Sequence, residues 1–106
     1  MPRAPAQQPT PLDEALKKEQ SKLLAAFGAV VRNARHDALL TVEAVADAAG
    51  VHPNYLSSIE RGERNVSLFN IWRIAAALGL SVDELTMGLP RRRAKPAVPV
   101  GQSPAR

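Results

Sequence analysis

An all-α fold of five helices is predicted by three features of the sequence. Apolar residues recur at three- and four-residue spacing rather than in strand-like alternation. A hydroxyl residue or a proline stands at each expected helix start, and Gly50, Gly62, Gly79 and Gly88 stand where four of the five helices stop.

The first helix is expected to start at Thr10 and Pro11, a capping hydroxyl followed by a residue whose missing N–H costs nothing in a first turn. Asp13 and Glu14 follow at the positive end of the helix dipole. Leu12, Leu16, Leu23, Phe27, Val30 and Ala34 then recur at helical spacing. The polar run 17–22 leaves two readings open, one long helix or a short lead-in before a core helix. Thr41 opens a second helix carrying Val42, Val45, Ala46 and Ala49, closed by Gly50. Pro53 begins a third that runs to about Arg61. Ser67 caps a fourth, with Leu68, Ile71, Ala75 and Leu78 expected inward and Gly79 as its stop. Ser81 caps a fifth, from Val82 to about Met87, with Asp83 and Glu84 in its first turn.

Eight of the nine prolines lie before residue 12 or after residue 89. Segments so poor in buriable surface do not offset the entropy of ordering. The expected organisation is therefore a disordered tail at 1–11, a compact domain at 12–89 and a disordered basic tail at 90–106. The formal net charge of +4 misleads about the domain itself. Between residues 21 and 89 lie six Lys or Arg against seven Asp or Glu, while Arg91, Arg92, Arg93, Lys95 and Arg106 follow. The direction in which the domain's few arginines point thus matters more than the bulk charge.

Several classes of function are disfavoured. With no cysteine there is no disulfide and no thiolate metal site. His36 and His52 are isolated and form no ligand set, so no metal or cofactor is expected. Asp83 and Glu84 are explained by the helix dipole rather than as a catalytic pair, and no enzyme is expected. No apolar run of about 18 residues is present to cross a membrane, and the N-terminus lacks a signal-peptide pattern, which makes the cytoplasm the expected location.

A short helix, a glycine turn and a second short helix can present the second helix to the major groove of double-stranded DNA. On the third helix Tyr55, Leu56 and Ile59 fall on one side, and Asn54, Ser57, Ser58 and Arg61 on the other. Asn pairs bidentately with adenine and Ser serves several base edges. A merely solvated face would carry similar residues.

Residues 41–85, TVEAVADAAGVHPNYLSSIERGERNVSLFNIWRIAAALGLSVDEL, resemble the phage-repressor family of helix-turn-helix regulators, the lambda repressor, Cro and Xre-like proteins. Val45, Ala46, Ala49, Gly50, Val51, Leu56 and Ile59 fill the family's small or apolar positions, with the motif at about 41–62. The form of 59–68 looks especially like the controller proteins of restriction–modification systems. The resemblance implies a lambda-repressor-like five-helix domain that reads bases through Pro53, Asn54 and Ser58, with His52 and Ser57 nearby. It implies phosphate contacts from Arg61 and Arg64, and a partly buried ion pair between Arg35 and Glu60. Val42 stands where the family often has a phosphate-contacting glutamine, and Pro53 replaces a side chain that commonly reads a base.

Phe69, Trp72 and Ala76 form a second apolar stripe on the fourth helix, beyond the one its core face needs. A homodimer through this helix is expected, with two recognition helices meeting a roughly palindromic operator. No small-molecule effector is expected. The alternative reading is a protein-interaction module or antitoxin-type partner on the same scaffold.

Overall fold

The computed structural model describes residues 11–93 and 95–98. Five helices form, and no strand occurs among the described residues: α1 (Glu14–Asp37), α2 (Val42–Ala49), α3 (Pro53–Glu60), α4 (Leu68–Ala77) and α5 (Val82–Thr86).

The 24-residue α1 is one continuous helix, which settles the choice left open by the polar run. Its cap is Asp13, whose carboxylate accepts from the Leu16 N–H at 2.8 Å. The expected cap, Thr10, lies outside the described residues. Asp serves the role as well as Thr and adds a full negative charge at the dipole's positive end. Thr41, Ser67 and Ser81 cap α2, α4 and α5 by accepting from the third backbone N–H inside each helix. At Ser81 the Glu84 carboxylate reaches back to the cap's own N–H at 3.0 Å and completes a capping box.

Four helices end in the same way. After α2, α3 and α4 a glycine at φ +73°, +77° and +74° turns the chain left-handed. The glycine N–H and the N–H of the residue after it then close back on the last turn. After α1 the same pair of bonds forms, Leu39 N–H to the His36 carbonyl at 2.9 Å and Leu40 N–H to the Arg35 carbonyl at 3.0 Å. There the left-handed residue is Leu39, at φ +58°.

The core is built from Phe27 and Val31 of α1, Val45, Ala46 and Ala49 of α2, Leu56 and Ile59 of α3, Ile74 and Ala75 of α4, and Leu85 of α5. Two parts of the expected core are corrected. Leu12 and Leu23 are exposed, because the first turns of α1 project past the other helices. On α4 the inward stripe is Ile71, Ile74, Ala75 and Leu78, while Leu68 is 72 % exposed. Leu68, the first residue of α4, instead lines a shallow depression with Phe69, Trp72 and Val82. Gly28 allows α1 and α3 to cross closely, since a Cβ there would sit 2.6 Å from the Glu60 carbonyl oxygen.

The described part of the C-terminal segment, residues 90–93 and 95–98, forms no helix. Arg92 pairs with Glu19 of α1 at 3.1 Å, so residues 90–93 lie back against the projecting turns of α1. A groove of about 840 Å³ opens between them. Both partners are largely exposed, at 62 % and 42 %, which makes the contact a weak tether. Residues 1–10, 94 and 99–106 of the expected tails lie outside the described residues.

Candidate nucleic-acid interface

The α2–turn–α3 unit is set by Gly50, whose φ of +73° reverses the chain between Ala49 and Val51. Leu56 and Ile59 then anchor α3 in the core, leaving one side of it toward solvent. His52 caps this helix: its Nδ1 accepts from the Asn54 N–H at 3.0 Å. A neutral imidazole accepting at Nδ1 carries its proton on Nε2, so the exposed ring presents a donor. Asn54 is exposed, and Pro53 and Ser57 are half-buried. Asn54 and Arg61, seven residues apart, fall on one line along the helix. Among the described residues the Asn54 carboxamide and the Ser57 hydroxyl have no side-chain hydrogen bond.

Ser58 is not on this face. It is 4 % exposed, and its hydroxyl donates to the Tyr55 carbonyl at 2.6 Å while accepting from Arg64 Nε at 3.0 Å. One step of 100° beyond Ser57 already turns the side chain under the following loop. The residue expected to read a base instead holds Arg64, whose guanidinium also lies 5.9 Å from the centre of the Tyr55 ring.

The arginines around the unit differ in what they can do. Arg61 is exposed and paired with Glu63 at 3.0 Å and 3.2 Å. The pairing holds the Glu63 carboxyl below its ordinary range and raises the Arg61 guanidinium above its own. The Glu63 carboxylate occupies the Nε and Nη2 edge of Arg61 and offsets its charge, leaving Nη1 to donate elsewhere. Among the described residues Arg64 meets a hydroxyl and a ring and forms no ion pair, and Glu63 is near enough to feel its charge. Arg35 is not an interface residue: its Nε and Nη2 bind both Glu60 oxygens at 2.8 Å and 2.9 Å.

Two residues that sequence reasoning passed over hold the unit to α4. Arg73 Nε donates to the Ala49 carbonyl at 2.9 Å, Nη2 donates to the Gly50 carbonyl, and Nη1 donates to Asn70 Oδ1 at 3.1 Å. Asn70 Nδ2 in turn donates to the Tyr55 hydroxyl at 3.0 Å. The signal was available in part, since a positive side chain suits the carbonyl end of α2, but nothing local in the sequence says that α4 lies there.

Beside these residues is an apolar patch. Phe69 and Trp72 are 62 % and 61 % exposed, and their rings stack with centres 6.1 Å apart. Leu68 and Val82 complete a shallow depression of about 510 Å³ with them. Ala76 is exposed on the same helix but outside the depression.

Among the described residues no three His, Asp or Glu side chains gather as a metal-binding set. No described helix is long and apolar enough to cross a membrane.

Comparison with known proteins gives consistent matches. The family model described as "Helix-turn-helix" matches residues 31–85. The control protein C.BamHI of Bacillus amyloliquefaciens is 43 % identical over 60 residues, 56 % of this chain and 74 % of that protein. The control protein C.SmaI of Serratia marcescens is 42 % identical over 55 residues, 52 % of this chain and 66 % of its own length. Among solved structures, the restriction–modification controller protein C.AhdI from Aeromonas hydrophila superposes with a TM-score of 0.58 at 40 % identity. That alignment covers 58 % of this chain and 94 % of C.AhdI.

Proposed function

The chain belongs to the helix-turn-helix family of DNA-binding transcriptional regulators, and on that premise we propose that it acts as a homodimer reading a roughly palindromic operator. The observation that carries this reading is the adjacency of two surfaces. The outward strip of α3 offers polar groups without internal partners, and the Leu68, Phe69 and Trp72 patch on the next helix offers a large apolar area for a second copy. A twofold axis through that patch gives two copies of α3, which meet half-sites about one DNA turn apart.

In this reading His52, Asn54 and Ser57 contact bases, with Pro53 setting the start of the helix. His52 donates from Nε2 to an acceptor such as guanine N7 or O6, and the Asn54 carboxamide pairs with adenine. Arg64 holds a phosphate, and Arg61 joins it through its outer guanidinium donors. The similarity to restriction–modification control proteins supports the same role here, control of a methylase and nuclease pair encoded nearby, in the cytoplasm where that DNA lies.

Trp72 is the only tryptophan, so its fluorescence reports on the patch. The reading expects that emission to change with dilution, and expects Phe69→Asp to give a folded monomer with much weaker binding to the DNA upstream of the chain's own gene. A concentration-independent monomer that protects both halves of a palindrome would contradict the assembly.

A further inference from the structure

The apolar patch and the DNA-reading unit are not separate surfaces, because one side chain touches both. The Arg73 guanidinium lies 5.2 Å from the centre of the Phe69 ring, and its three nitrogens are spent on the Ala49 carbonyl, the Gly50 carbonyl and Asn70. Ala49 and Gly50 form the turn between α2 and α3. Asn70 carries the chain of contacts on to the Tyr55 hydroxyl, and the Tyr55 ring lies under Arg64. The line therefore runs Phe69, Arg73, Asn70, Tyr55, Arg64, from the patch to a phosphate-binding arginine. Gly50 is fitted to it twice, by its left-handed φ and because a Cβ there would lie 2.7 Å from Arg73 Nη2.

We propose that Arg73 is a positioning residue that couples self-association to DNA reading: a second copy covering Phe69 tightens the Arg73 clamp on the α2–α3 turn and so fixes the recognition helix. This rests on the reading of the chain as a dimeric DNA-binding protein. The physical cause is desolvation. Phe69 is 62 % exposed, so water reaches the cation–π contact and the adjoining hydrogen bonds in the monomer. Removing that water strengthens charge-assisted bonds and cation–π attraction together. Linkage requires that a firmer turn favour association to the same degree.

The test has one arm without DNA. Amide hydrogen exchange at residues 50–56 is measured across protein concentrations that span the dimer constant, with Trp72→Asp as the monomer. That variant leaves the Phe69 ring on Arg73, and sedimentation verifies its state. Beyond the protection that Trp72→Asp shows, the wild type gains at least about fivefold on dimerising, the lower end of ordinary coupling. Arg73→Met loses this gain while still dimerising. Tyr55→Phe, which deletes one hydroxyl and keeps the core, loses the part of it that lies in α3. Equal protection in monomer and dimer overturns the proposal, as do an equal gain in both variants and a wild type that never dimerises.

The second arm uses an isolated half-site duplex from the upstream DNA, which removes avidity. The wild-type dimer binds it about fivefold or more tighter than Trp72→Asp, and Arg73→Met abolishes the difference. A difference that persists in Arg73→Met overturns the coupling. Coupled exchange in a wild type that binds no upstream DNA leaves the clamp standing and overturns the DNA reading instead.

Discussion

Arg35 grips Glu60 with two parallel hydrogen bonds, Nε to Oε2 at 2.8 Å and Nη2 to Oε1 at 2.9 Å, and so ties the last turns of α1 to the end of α3. The side chains are only 11 % and 7 % exposed. Arg35 Nη1 also donates to the Leu40 carbonyl at 3.1 Å, which extends the contact to the chain entering α2. The Glu60 carboxylate raises the Arg35 guanidinium above its ordinary range. Removing either partner strands a charge in a nearly dry site, at a cost of about 3–5 kcal/mol. Chemical denaturation of Arg35→Ala, Glu60→Ala and the double variant should therefore show strong non-additivity, the second substitution costing far less than the first.

The loop after α1 carries a correctable strain. Leu39 adopts φ +58° where the three equivalent positions are glycine, and its side chain is 92 % exposed. A non-glycine residue in the left-handed region costs about 1–2 kcal/mol, and glycine loses up to about 1 kcal/mol more chain entropy on folding. Leu39→Gly should raise Tm by a few degrees without changing DNA affinity; a lower Tm would show that the exposed leucine makes a contact worth more than its strain.

The Ser81–Glu84 capping box predicts a pH dependence with a definite sign. Hydrogen bonds from the Ser81 backbone and hydroxyl hold the Glu84 carboxyl below its ordinary value of 4.5. A depressed carboxylate stabilises the fold above that value and loses its contribution as pH falls through the lowered one. The Tm gap between wild type and Glu84→Ala should be full at pH 6–7 and shrink progressively below about pH 4.5. A gap unchanged in acid would mean that the box does not depend on the charge.

Ser58 and Arg64 should behave as one unit. Because the Ser58 hydroxyl serves Arg64 rather than a base, Ser58→Ala should weaken binding to all DNA sequences together and leave base preference unchanged. Arg64→Ala should do the same and lower the salt dependence by about 0.9 in slope for each copy bound, one phosphate's share, and about twice that for the dimer. A change of preferred base in Ser58→Ala would return its side chain to the groove.

Helices α2 to α5 were legible because each carries its own boundary chemistry in sequence: Thr41, Ser67 and Ser81 as caps, Pro53 at a first turn, Gly50, Gly62 and Gly79 as left-handed stops. What the sequence hid is whatever depends on neighbours. Whether Ser58 faces water or the loop differs by a single 100° step, and only the path of residues 61–66 decides it. Leu68 and Ile74 are equally apolar, and which of them is buried depends on where α2 crosses α4. Arg73 was one charge among many until its reach to the Ala49 and Gly50 carbonyls placed it on the turn. Leu39 escaped notice because no leucine announces a left-handed turn.

Sequence reading by the outward strip of α3 is measured as a ratio of affinities. The affinity of the protein for the DNA upstream of its gene is compared with that for a shuffled duplex at the same salt concentration, for wild type and for Asn54→Ala. The wild type should prefer its own DNA by about 10³-fold or more. Asn54→Ala should give up about 1–3 kcal/mol of that preference at one base pair in each half-site, with affinity for shuffled DNA unchanged. A wild type that binds both duplexes equally, or an Asn54→Ala variant that keeps the full preference at every base pair, would contradict the account.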